Sequence, residues 1–178
     1  MIKAAFGVWV LTEVVLVATV AATYSMLPDP VATHFGANGQ ADDWRPRSDY
    51  AAYLITASAM VSAMCAGPLY LARKLPDSMI NVPNRDYWLA LERRGEAYDR
   101  LFALGLAIGA ATTGLFVAIH LLTVRANRAR PPRVATGEAV VLIAAFLAVL
   151  AGVVLGFSGR AWKVDATDSE RRRRDRRE

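Results

Sequence analysis

The chain has 178 residues, is 54% hydrophobic and carries a formal net charge of +5. Its apolar residues fall into four nearly uncharged blocks of ~20 to 25 residues, the length that crosses a bilayer, which argues against a soluble domain. Basic residues between the blocks are typical of membrane-flanking anchors, so the charge does not indicate nucleic-acid binding. The sequence predicts an all-α polytopic membrane protein with four transmembrane helices and the lipid bilayer as partner.

The first predicted span covers about residues 4–27 and contains Glu13 near its middle. The block is too long for the apolar region of a signal peptide, so we expect it to be retained. An ionised side chain at this depth is costly unless it is paired or protonated. Two interpretations are open. Glu13 has a function, as a proton- or ion-linked site or as a contact for a basic ligand group, or it is a neutral acid hydrogen-bonded to a hydroxyl on a neighbouring helix.

The loop at 28–49 is polar and rich in turn-forming residues. Its glycines, together with Asn38, tolerate positive φ and predict a tight turn that includes Gly39. Such a turn can bring His34 close to Asp42 and Asp43. One histidine with two carboxylates is a thin ligand set without diagnostic spacing, and hydrogen bonds that stiffen the loop explain it better. The sequence therefore predicts no metal site and no cofactor.

The second span, at about 50–72, is followed by a polar stretch that contains Asn81, Pro83 and Asn84. Asn84 has the character of a helix N-cap, which predicts a helix over about 84–98. That helix would place Tyr87 and Trp88 near one face, as in an amphipathic helix lying at the membrane interface. Two roles are open for it, a membrane-surface anchor and a partner-binding surface.

The last two spans, at about 101–124 and 136–160, carry small residues at four-residue spacing. This spacing lets helices approach closely, either within one chain or between copies. A homodimer or a larger membrane complex is therefore a further expectation. His120 lies near the end of the third span, where we expect a hydrated interfacial histidine. The residues predicted to pack helices are Gly105, Gly109, Ala148, Gly152 and Gly156.

The C-terminal stretch at 161–178 contains the run RRRRDRR and is predicted to be a disordered basic tail, which leaves one four-helix domain at 1–160. Roughly fifteen of the 21 Lys and Arg residues lie in the N-terminus, the middle loop and the tail. The positive-inside rule therefore predicts that both termini are cytoplasmic and that the 28–49 loop faces outward.

Two stretches of the chain resemble a known family. LPDPVATHFGANGQAD resembles a Leu-Pro, His-aromatic and glycine-turn motif, and INVPNRDYWLALERR resembles a companion Asn-Pro-Asn and Tyr-Trp-Leu motif. Together they are similar to a bacterial membrane domain of unknown function. That domain also forms the N-terminal part of immunity proteins that protect cells from the sporulation-delaying killing peptide. The further C-terminal unit of those proteins is not found in this sequence. The positions that carry the resemblance are Leu27, Pro28, His34, Asn38, Gly39, Asp42, Asn81, Pro83, Asn84, Tyr87 and Trp88.

The resemblance implies a multi-pass protein of the bacterial cytoplasmic membrane and favours a module of immunity or signalling type. Such a module would sense or bind a peptide or envelope ligand through the 28–49 loop. Two other classes are open, a small proton-coupled transporter that uses Glu13 and an accessory subunit of a larger complex. The sequence contains no nucleophile with a positioned base, no phosphate loop and no zinc signature, so we do not expect an enzyme.

Overall fold

The computed structural model describes residues 1–160 and 162–164, and its main elements are helices. Four of these helices are long and apolar enough to cross a membrane, which confirms the prediction of four such helices and indicates a multi-pass membrane protein. The five α-helices are α1 (Ile2–Thr23), α2 (Arg47–Leu71), α3 (Arg85–Trp88), α4 (Arg94–Ala126) and α5 (Thr136–Arg160). Short 3-10 turns cover Tyr24–Met26, Ala72–Lys74 and Asp77–Met79.

The loop between α1 and α2 folds into a two-stranded antiparallel sheet, which the sequence did not predict beyond its turn. Strand β1 (Val31–Phe35) pairs with β2 (Ala41–Arg45), and the register is irregular on both sides of His34. Pro28 and Pro30 precede β1, and prolines favour the extended backbone from which a strand begins. The two strands form a compact hairpin, defined here as residues 31–45, at one end of the helices.

Helices α1, α2 and α4 pack together, whereas α5 contacts mainly α4. The most apolar window of α5 contains no buried residue, so most of the surface of this helix is not covered by the described part of the chain. Two apolar clusters lie at opposite ends of the protein. The cluster beside the hairpin contains Leu16, Val20, Leu27, Val31, Tyr50, Ala51, Leu54 and Val124. The cluster at the other end contains Ala72, Ile80, Val82, Tyr87, Trp88, Leu89, Ala97, Tyr98 and Trp162.

The amphipathic helix predicted over about 84–98 is wrong in its extent. Only Arg85–Trp88 forms a helix there, a turn follows, and α4 begins at Arg94, about two turns before the predicted third span. Tyr87 and Trp88 are buried in the second apolar cluster and are not exposed on the face of an amphipathic helix. Asn84 has a left-handed backbone with φ of 51°, and its side chain makes no cap hydrogen bond. Tertiary packing of the two rings therefore overrides the helical pattern of the sequence.

The prediction that the disordered tail begins at residue 161 is wrong at its start. Trp162 is only 5% exposed and packs with the Tyr87–Trp88 cluster, so the folded part of the chain extends beyond residue 160. This indole was missed because it stands among charged residues whose composition predicts disorder. Residues 161 and 165–178, including the RRRRDRR run, lie outside the described residues.

Candidate functional site

The hairpin turn is closed by backbone bonds and by one side chain. The amide of Gly39 donates to the carbonyl of Gly36 at 2.8 Å, and the amide of Gly36 donates to the carbonyl of Gln40 at 2.8 Å. The side-chain oxygen of Asn38 accepts a bond from the Gln40 amide at 3.0 Å. Gly39 has φ of 75°, a conformation that glycine adopts without steric cost. Asn38 and Gly39 therefore shape the loop.

The hairpin rests on the loop between α4 and α5. The amide of Val134 donates to the carbonyl of Gly39 at 2.9 Å, and the amide of Ala41 donates to the carbonyl of Pro132 at 3.3 Å. A Cβ atom at Gly39 would lie 2.1 Å from the Val134 carbonyl oxygen. Gly39 thus permits both the turn and the close approach of a second loop 95 residues away in the chain.

Asn127, just after α4, attaches the hairpin to that helix by hydrogen bonds. Its side-chain oxygen accepts a hydrogen bond from the Ala32 amide at 2.9 Å, and its side-chain nitrogen donates to the Ala32 carbonyl at 3.0 Å. The same nitrogen donates to the Thr123 carbonyl at 2.9 Å. Ala32 is fully buried, so its backbone N–H and C=O groups have no access to water. The side-chain amide of Asn127 supplies the hydrogen-bond partners that they need. β1 is therefore attached to α4 at a fixed position.

A cavity of about 590 Å³ lies between the hairpin, the start of α2 and the last turns of α4. Its polar lining includes Thr33, His34, Asp43, Arg45 and Asp49, and its apolar lining includes Leu54, Phe116 and Ile119. A second cavity of about 360 Å³ lies on the α5 side of the hairpin. Thr33, His34, Ile119 and Thr123 line both cavities. The hairpin therefore covers a groove whose polar and apolar walls suit an amphipathic ligand.

The charged side chains of the hairpin are paired along its exposed surface. Nδ1 of His34 lies in hydrogen-bond contact with Oδ1 of Asp42, as the turn allows. Nε of Arg45 lies 3.4 Å from Oδ2 of Asp43. The His34 and Asp42 side chains are 68% and 52% exposed, so this pair is accessible at the mouth of the cavity. Within the described residues, no group of three or more His, Cys, Asp and Glu side chains is arranged to hold a metal ion.

His120 is fully buried below the cavity, so the expectation of a hydrated interfacial histidine is wrong. Nε2 lies 2.7 Å from the Thr23 hydroxyl, and Nδ1 lies 3.0 Å from the Tyr50 hydroxyl. The Thr23 proton is used in a 2.7 Å bond to the Thr19 carbonyl. We assign the ring proton to Nε2, because this tautomer lets Nε2 donate to the Thr23 oxygen while Nδ1 accepts from Tyr50. His120 thus joins α1, α2 and α4 beside a wall of the 590 Å³ cavity.

Glu13 meets three hydroxyls in the middle of the helices. Its Oε1 accepts bonds from Thr113 Oγ1 at 2.8 Å and from Ser62 Oγ at 3.0 Å, and its Oε2 accepts from Ser58 Oγ at 3.3 Å. The three hydroxyl residues are at most 1% exposed, whereas Glu13 is half-buried. The acid is therefore bonded to hydroxyls of two neighbouring helices, whether it is ionised or neutral.

The second sequence motif forms a docking site for the chain itself. The Asn84 side-chain nitrogen donates to the Trp162 carbonyl at 3.0 Å, and Nε1 of Trp88 donates to the same oxygen at 3.2 Å. The Trp88 and Trp162 rings meet edge to face with centroids 5.7 Å apart. Arg100 lies over the Trp88 ring at 3.9 Å from its centroid. Asn84 and Trp88 therefore contact Trp162, whereas Asn81 and Pro83 of the same motif are exposed.

The predicted packing glycines differ in what they contact. A Cβ atom at Gly105 would lie 2.8 Å from Ala66 Cα and from the Cys65 carbonyl oxygen, so Gly105 permits the close approach of α2 and α4. Gly109 faces Ser62 at ordinary contact distance. Gly152 and Gly156 have nothing within 4 Å of a built Cβ atom, and Ala148 is exposed. The small-residue stripe of α5 therefore packs on no described part of this chain.

Comparison with known proteins finds a similarity in one part of the chain. A family model described as Domain of unknown function (DUF1648) matches residues 11–58, a stretch that runs from α1 through the hairpin into α2. It includes Glu13, the His34 hairpin and Ser58, whereas the Asn84–Trp88 motif lies outside it. No curated protein and no solved structure shows a significant match to the chain.

Proposed function

We propose that this chain is a ligand-binding module of the bacterial cytoplasmic membrane, of immunity or signalling type, and not an enzyme. The observation that carries the proposal is the cavity beneath the hairpin, about 590 Å³ in volume. This volume lies in the range of ~300 to 1,000 Å³ that is typical of ligand sites. The ligand would be an amphipathic peptide or envelope component whose polar group meets the hairpin.

The distribution of polar groups supports an amphipathic ligand. Ile119 and Phe116 line the wall that α4 contributes to the cavity. A lipid acyl chain or an apolar side chain of a peptide would fit against this wall. Asp49 and Arg45 lie at the hairpin end of the same cavity and offer charges of both signs. A ligand with one apolar and one charged part would satisfy both walls at once.

The position of the hairpin supports exposure to the outer side of the membrane. Roughly fifteen of the 21 Lys and Arg residues lie in segments that four spans place opposite the hairpin. By the positive-inside rule, both termini and the Asn84–Trp88 docking site would then be cytoplasmic. Helix α4 joins the two ends, since Asn127 holds the hairpin and Arg100 contacts Trp88. This connection offers a route by which ligand binding would be reported inward.

The proposal is tested by filling the cavity. In a strain from which the gene has been deleted, survival under membrane-active cationic peptides and envelope stress is compared with and without the restored gene. We expect the wild type and Leu121→Trp to restore resistance, because Leu121 lies on α4 outside the hairpin cavities. We expect Ile119→Trp to fail, because the indole would occupy the groove at a residue that lines both cavities.

Two results would count against the proposal. The first is a deletion strain that is no more sensitive than its parent to any of these treatments. The second is full complementation by Ile119→Trp at the same membrane level of protein as the wild type.

A further inference from the structure

The Glu13 cluster gathers oxygen atoms of a kind and number that suit a small cation. Six oxygens take part: both carboxylate oxygens of Glu13, the hydroxyls of Ser58, Ser62 and Thr113, and the carbonyl of Gly109. The distances between bonded pairs of these atoms run from 2.8 to 3.4 Å. All of the donors are hard oxygen ligands, and no nitrogen or sulfur atom belongs to the set.

The cluster also has an unbalanced charge if Glu13 is ionised. In the described part of the chain, no Lys, Arg or His forms an ion pair with Glu13. Acidic side chains at this depth are rare and in most proteins face a partner or an ion pathway. One carboxylate balances a monovalent cation, whereas a divalent ion would leave a positive charge in the apolar region.

Helix packing holds the six oxygens together. Gly105 allows α2 to approach α4 within contact distance, and Ser62 and Thr113 hydroxyls then lie 3.0 Å apart. Ser58 and Ser62 are one helical turn apart on α2, so both face Thr113. The close spacing of these oxygens favours sodium over the larger potassium ion.

We propose that Glu13, Ser58, Ser62, Thr113 and the Gly109 carbonyl form a sodium-binding site between α1, α2 and α4. The site is separate from the hairpin cavity and does not depend on the proposed function. Bound sodium would replace the hydrogen bonds between the hydroxyls and the carboxylate. Each hydroxyl would keep its proton and turn an oxygen lone pair toward the ion, so that one ion links three helices. A ligand that binds only the folded protein stabilises it in proportion to the logarithm of its concentration.

The test uses the purified full chain in mild detergent, at constant pH and constant ionic strength. Sodium chloride is exchanged stepwise for choline chloride while the apparent Tm is recorded, and saturable binding of radioactive sodium is measured in parallel. We expect Tm to rise on the order of 3 °C when sodium exceeds its dissociation constant tenfold. An equal concentration of potassium should give a smaller rise.

Matched variants test whether the sodium-dependent rise in Tm and the sodium binding come from the Glu13 cluster. Glu13→Gln and Thr113→Val should abolish both the sodium-dependent rise in Tm and the saturable binding. Thr112→Val should retain both, because Thr112 neighbours Thr113 and its hydroxyl bonds only the Ile108 carbonyl of its own helix. If Glu13→Gln or Thr113→Val fails to fold, Ser58→Ala removes one ligand oxygen and should weaken sodium binding.

The proposal is overturned if the wild type shows equal Tm values in sodium and choline and no saturable sodium binding. Glu13 would then be held by hydroxyl hydrogen bonds alone. It is also overturned if the sodium response survives in Glu13→Gln, or if Thr112→Val and Thr113→Val lose it to the same degree.

Discussion

The side-chain amide of Asn127 pairs with both backbone groups of Ala32, at 2.9 Å to the amide nitrogen and 3.0 Å to the carbonyl oxygen. Asn127, just after α4, thus makes the pair of hydrogen bonds that a neighbouring strand would make to β1. The position of the hairpin beside the 590 Å³ cavity therefore depends on the end of α4.

Asn127→Ala should release the hairpin from α4. The substitution leaves both buried backbone groups of Ala32 without their partner, at a cost of about 1–3 kcal/mol for each unsatisfied group. We expect faster hydrogen exchange in β1 and a lower apparent Tm, with the four spans retained. Asn81→Ala removes an exposed amide at the other end of the protein and serves as the control. Equal exchange in β1 for the two variants would contradict this role.

Gly39→Ala should be strongly destabilising. The new methyl group would lie 2.1 Å from the Val134 carbonyl oxygen, and φ of 75° is unfavourable for alanine. The backbone cost alone is about 1–2 kcal/mol, before the loop at 132–134 is displaced. Gly36→Ala is the matched control, because its nearest contact would be the Asp42 side chain at 3.2 Å. We expect a clear fall in apparent Tm for Gly39→Ala and a smaller one for Gly36→Ala; the reverse order would refute the hairpin contact.

Gly105→Ala should separate α2 from α4. Its methyl group would lie 2.8 Å from two backbone atoms of α2, and overpacking of this kind costs about 1–3 kcal/mol. Gly114→Ala, on the same helix, meets nothing within 4 Å and should be tolerated. Thermal unfolding in detergent distinguishes the two variants. Indistinguishable apparent Tm values would show that the close helix crossing is absent.

Much of the fold could be predicted from the sequence because it depends on local pattern. Uncharged blocks of spanning length identify the four long helices, and glycines around Asn38 identify the turn that joins His34 to Asp42. The roles of His120 and Trp162 could not be predicted in the same way. Their partners, Tyr50 and Trp88, lie 70 and 74 residues away, so only tertiary packing brings them together. The hairpin was missed because its polar strands lack regular alternation, and two register irregularities interrupt its pairing.

Trp162→Ala should loosen the end of the protein opposite the hairpin. A buried tryptophan replaced by alanine costs about 3–5 kcal/mol, and the Trp88 ring would lose its edge-to-face neighbour. We expect a lower apparent Tm and a red-shifted tryptophan emission from the newly exposed Trp88. Trp44→Ala, at a side chain that is 47% exposed, should lower the Tm much less. If both variants melt alike, the docking of the segment after α5 is wrong.

The proposal that the hairpin and the Asn84–Trp88 docking site lie on opposite sides of the membrane is tested most directly by cysteine labelling. The chain has a single cysteine, so Cys65→Ser gives a background for Ala37→Cys on the hairpin turn and Ser78→Cys before the docking site. Both positions are exposed. We expect an impermeant maleimide to label Ala37→Cys in intact cells and Ser78→Cys only after permeabilisation. Labelling of both positions from the same side would contradict the four-span architecture and the proposed outward-facing site.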